Sequence, residues 1–143
     1  AMFGCKHHTP DVVWLPELQR HANGAKRILE VTVVVEKPSA LAPAYEKIFG
    51  AGSARNEADA MIVETGTAPI RFVTADAMAA SYPEIDLGDI SAPRILGLAL
   101  ETDDIEAATR CLSAAGAGTV EMGGALFVPP VAAHGVLLEF RPA

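Results

Sequence analysis

A chain of 143 residues, half of them hydrophobic and one fifth charged, has the size of one globular domain with a full core and is too apolar to stay disordered. Eleven basic against eighteen acidic residues leave a net charge of −7 with no Lys/Arg run, which excludes the basic footprint of a nucleic-acid binder. No apolar stretch reaches membrane-spanning length and no basic-then-apolar leader opens the chain, so a cytoplasmic protein without membrane contact is expected.

In chain order, residues 1–24 read as a lead-in, with Ala1-Met2 resembling a cloning remnant, a lone Trp14, and Asn23-Gly24 as a turn signal. The β-branched run within 28–35 reads as a strand. Pro38 and Ser39 then open a helix to Phe49, with Leu41, Tyr45, Ile48 and Phe49 at helical spacing and Gly50 as its stop. Three short strands fit residues 54–56, 60–64 and 69–74. A connector over 76–93 follows, in which Asp86 to Asp89 read as solvated. Residues 95–101 form a second strand, and Asp103-Asp104 cap a helix over 105–115 that Gly116 ends. Three further strands fit 118–121, 125–128 and 135–140.

The second half repeats the first. RILEVTVVVEKP begins at Arg27 and RILGLALETDD at Arg94, an offset of 67, and the two helix stops, Gly50 and Gly116, lie 66 apart. The expected fold class is α+β, two tandem βαβββ modules forming a cupped mixed sheet with the helices packed outside. Residues 25–143 make up the domain, with module one at about 27–75 and module two at about 94–141. The two cysteines, Cys5 and Cys111, have no disulfide or zinc spacing and read as unpaired thiols.

The passage LALETDDIEAA, the helix ending Ser113-Ala114-Ala115-Gly116, and the closing AHGVLLEF resemble the vicinal oxygen chelate superfamily, the glyoxalase, bleomycin-resistance and extradiol-dioxygenase group. The resemblance spans 27–140, about four-fifths of the chain. QRHANGA in the lead-in is similar to the segment before the second half of larger glyoxalase-like proteins, so residues 1–24 read alternatively as the tail of a shortened first domain. The resemblance implies a small-molecule ligand held in the cup. Together with an exposed sheet edge, it also implies a homodimer.

Metal-dependent members of that superfamily place ligands on the first and last strands of each module. Carried over residue by residue, their positions fall at Glu30, Arg71, Gly97 and Glu139. Only Glu139 is unchanged. Gly97 offers no donor and Arg71 brings a positive charge, so no metal and no other cofactor is expected. Strand alternation puts Glu30 and Thr32 on one face, and Leu137, Glu139 and Arg141 on one face of the last strand. Arg71 between Glu30 and Glu139 takes over the metal's electrostatic role, unless the trio is an inert ion-pair network.

The expected acid–base residues are Glu30 and Glu139, assisted by His134 on the rim loop before the last strand. Arg71, Thr32, Gly97 and Leu137 are expected to contact the ligand. Two functions fit: a metal-independent enzyme acting on a carbonyl- or carboxylate-bearing metabolite, or a ligand-sequestering protein of the bleomycin-resistance type. The low aromatic content, 6%, weighs against the second.

Overall fold

The computed structural model describes residues 6–143. The first module contains strand β1 (Ala25–Val34), helix α1 (Ala42–Phe49) entered through a 3₁₀ turn at Pro38–Leu41, and strands β2 (Ala54–Asn56), β3 (Ala60–Val63) and β4 (Ile70–Val73). Helix α2 (Ala75–Ser81) opens the connector. The second module repeats the order with β5 (Arg94–Thr102), α3 (Ile105–Ala114), β6 (Val120–Met122), β7 (Ala125–Val128) and β8 (Leu137–Pro142).

All eight strands form one mixed sheet in the order β2-β3-β4-β1-β5-β8-β7-β6. Each module contributes one half, and the halves join where β1 and β5 pair antiparallel. The repeat is visible in that seam. Glu30 faces Ala99 and Thr32 faces Gly97, and adding 67 to the first module's partners exchanges one pair for the other. The two modules are therefore related by a local two-fold at the centre of the sheet.

Strand alternation assigns the two faces. On the outer face Met61, Val63 and Phe72 pack with Tyr45 of α1, while Leu126, Val128 and Phe140 pack with Ala108 and Leu112 of α3. These two helices lie outside, as the pattern implied. Both obey local chemistry: Asp104 accepts from the Ala107 amide at 2.8 Å as the N-cap of α3, and Gly50, at φ 103°, stops α1.

The connector, in which Asp86 to Asp89 read as solvated, adds a third helix and apolar packing to the expected fold. Thr74 caps α2 by accepting from the Ala77 amide, and the helix lies on the inner face. There Met78, Ile85 and Leu87 pack against Val34, Val73, Leu96, Phe127 and Leu137. Asp86 and Asp89 remain exposed, but the apolar residues between and before them cover part of the inner face that the repeat alone would leave open.

The lead-in forms two short 3₁₀ turns, with Trp14 and Leu18 exposed. Its last turn is seated on the end of β5: Gly24, at φ 68°, leaves space in which a Cβ would lie 2.7 Å from Thr102 Oγ1. Cys111 is unpaired, and Cys5 lies outside the described residues. No helix among the described residues is long and apolar enough to cross a membrane.

Candidate functional site

The strand registers place six of the sequence-derived residues in two neighbouring rows on the inner face. One row runs Glu30, Ala99, Glu139 and Phe127 across β1, β5, β8 and β7. The next runs Arg71, Thr32, Gly97 and Leu137 across β4, β1, β5 and β8. A cavity of about 240 Å³ opens over part of both rows, lined by Glu30, Thr32, Arg71, Met78, Tyr82 and Arg141, among others.

Two of the expected ligand contacts are closed off. Leu137 is 2% exposed and belongs to the core beneath the connector. Gly97 is buried, and a Cβ added there would sit 3.0 Å from the Thr32 Cβ. The glycine is thus fixed by its cross-strand neighbour, and both residues serve packing.

The bridge expected from Arg71 to both carboxylates does not form. Arg71 and Glu139 stand three strand spacings apart, a span of about 14 Å along a sheet with roughly 4.8 Å between strands. Arg141 takes Glu139 instead, with Nε and one Nη each donating at 2.7 Å to separate carboxylate oxygens. Glu139 is thereby held in a two-pronged fork. Arg71 points into the cavity, and its Nη1 lies 3.7 Å from Glu57, a carboxylate that Arg55 already engages by a hydrogen bond.

Glu30 is the exceptional group. Among the described residues no side chain hydrogen-bonds or ion-pairs with it, although it is half-buried. Burial pushes its carboxyl above the usual carboxylate range. Arg141 and Arg71 pull it back in part, and Glu139 adds to the rise. Tyr82, at the end of α2, packs its ring edge-on to Phe127 at 5.6 Å. Burial raises its hydroxyl pKa, and the charge on Glu139 raises it further.

His134 is not part of this constellation. It stands at φ 53° after the 3₁₀ turn at Pro130–Ala132 and lines a different cleft of about 400 Å³, together with Asp86, Asp89 and Arg94. His7 lies against Trp14 at 5.9 Å.

The residues that sequence reasoning missed are Tyr82 and Met78, and for Arg141 it missed the role. Alternation had put Arg141 on the face of Glu139, two residues away, which is the spacing a same-face pair requires. Met78 and Tyr82, four residues apart, come to one side of α2, although Tyr82 stands just past its last residue and too short a helix separates them to give a pattern.

Known structures share this architecture. Methylmalonyl-CoA epimerase from Mycobacterium tuberculosis superposes with a TM-score of 0.59 at 18% identity, covering 87% of this chain and 93% of that one. The chain has the glyoxalase-like fold. A hypothetical protein from Bacillus halodurans C-125 matches that fold at TM-score 0.55 and 18% identity, over 82% and 94% of the two chains. A variant of Streptomyces coelicolor methylmalonyl-CoA epimerase in complex with 2-nitronate-propionyl-CoA matches at 0.53 and 14%, over 83% and 95%. No family model matches the sequence, and no curated protein matches it.

The glyoxalase-like fold implies a divalent ion in metal-dependent members, and the residues here do not fit one. Of the four positions carried over from the resemblance, Gly97 has no side chain and an added Cβ would press on Thr32, Arg71 is a cation, and both oxygens of Glu139 accept from Arg141. Among the described residues no three His, Cys, Asp or Glu side chains are grouped to hold a metal.

Proposed function

We propose that this chain is a metal-independent enzyme that moves a proton on a small carbonyl- or carboxylate-bearing metabolite. The observation that carries the reading is Glu30, a half-buried carboxylate without a hydrogen-bond or ion-pair partner among the described residues, set in a cavity beside Arg71. A general base needs an unencumbered lone pair and a pKa shifted toward the working pH, and Glu30 has both. In the proposed step Glu30 removes a proton from the carbon next to a carbonyl. Negative charge moves to the carbonyl oxygen, where the Arg71 guanidinium and the Tyr82 hydroxyl stabilise it. The proton then returns from Glu30. Glu139 is a positioning residue that holds Arg141 at the cavity wall.

The structural neighbours lend support. Two of those described above are epimerases, and inversion of a stereocentre is a task suited to proton removal and return. The protein is further proposed to be cytoplasmic and dimeric. Ile28 and Ile95, which the repeat makes equivalent, are exposed on the two central strands.

The test is deuterium uptake in heavy water by a panel of small aldehydes, ketones and acids, followed by NMR. Glu30→Gln is expected to reduce exchange by about a hundredfold or more with folding retained. A ligand that binds and is recovered unchanged, without exchange, overturns the enzymatic reading in favour of sequestration.

A further inference from the structure

The acid–base reading leaves the substrate class open, and the shape and charge of the same cavity narrow it. Of the two cations that line the cavity, Arg71 is the one with no hydrogen-bonded carboxylate among the described residues. Arg141 commits two nitrogens to Glu139, whereas the Arg71 contact with Glu57, at 3.7 Å, is longer than a hydrogen bond. The hydroxyls of Thr32 and Tyr82 also border the cavity, and neither hydrogen-bonds to another group among the described residues. One free guanidinium matches one carboxylate as a two-pronged partner. A second carboxylate on the ligand would meet Glu30, while the charge of Arg141 is already balanced by Glu139.

Space sets the other limit. The cavity, about 240 Å³, is smaller than the roughly 300–1,000 Å³ of a pocket that encloses a drug-sized ligand. It cannot extend inward, because Met78 is 2% exposed and closes its floor. We infer that the site takes a short free monocarboxylic acid bearing an oxygen substituent, with the carboxylate on Arg71 and the oxygen toward Tyr82 and Thr32. This rests on the acid–base reading for its chemistry but is tested by binding alone.

The experiment titrates the full chain with straight-chain 2-oxo acids of three to eight carbons, and with a dicarboxylic acid of matched length, by calorimetry and ligand-observed NMR. Affinity is expected to peak by five carbons and to fall at least tenfold by eight. Arg71→Gln is expected to weaken every acid about tenfold or more, the worth of a charge-assisted hydrogen bond. Met78→Ala is expected to move the optimum to longer acids, and Val73→Ala, which also borders the cavity, serves the same purpose if the first variant does not fold.

Equal or tighter binding of the longest acids, preference for the dicarboxylate, or indifference to Arg71→Gln overturns the inference. Binding of short acids without proton exchange would support this substrate class and sink the acid–base reading. Exchange on larger substrates with no binding of short acids would do the reverse.

Discussion

A carboxylate without a partner in a partly dry cavity is an electrostatic burden on the fold, and its sign can be worked out at Glu30. Burial raises its folded-state pKa above the ordinary value of 4.5, despite the opposing pull of Arg141 and Arg71. The folded state therefore favours the protonated form. Its contribution to stability is present below the unfolded pKa and is lost as pH rises through the folded one. Glu30→Gln, which stays neutral, is expected to melt higher than the wild type at pH 8, with the gain gone at pH 4, in parallel thermal scans. A variant that melts lower at both pH values would mean that the carboxylate has a partner in solution.

Gly97 makes the opposite kind of prediction, since its constraint is steric. Gly97→Ala places a Cβ 3.0 Å from Thr32 and is expected to destabilise by about 1–3 kcal/mol in urea titration, as overpacking does. Thr32→Ala in the same chain is expected to recover much of that loss. Sequence reasoning identified Gly97 as a vacated ligand position but could not see why it stays vacant. The cause is a neighbour 65 positions earlier, supplied by strand register.

Among the elements, the strands and the two outer helices were legible because each carries its own periodicity and its own punctuation. The cap at Asp104 and the stop at Gly50 are local chemistry, and Asp104→Ala is expected to cost about 1 kcal/mol by the same urea measurement. The connector was not legible. Asp86 and Asp89 flank Leu87, and the eye reads the acids, while Ile85 and Leu87 are irregular positions outside any helix. Both are 6% exposed. Leu87→Ala is therefore expected to destabilise by about 2–4 kcal/mol, a core-like loss that a solvated loop would not show. Hydrogen exchange at 75–90 should match that of the central strands in the wild type and speed up in the variant.

The whole molecule depends on one seam. Because β1 and β5 are the central pair and come from different halves, neither half has a complete sheet without the other. Separately expressed fragments 25–90 and 91–143 are expected to lack a cooperative unfolding transition and to recover one when mixed, as circular dichroism would report. The same seam explains which site residues could be read from the sequence. Glu30 and Glu139 lie on strands whose alternation is clear, so their shared face was deducible. The partner of Glu139 was not, because reach along the sheet, rather than charge, decides between Arg71 and Arg141.

The pairing of Thr32 with Gly97 also bears on redesign. Glu30 stands opposite the small Ala99, while at the equivalent position, 97, a side chain would press on Thr32. Any single substitution that places an imidazole or carboxylate at 97 must press on that threonine, and trimming the threonine alone leaves a void with nothing to fill it. A donor at 97 therefore takes two coupled substitutions, each of which packs poorly alone, and the seam acts as a lock that opens only to both keys at once.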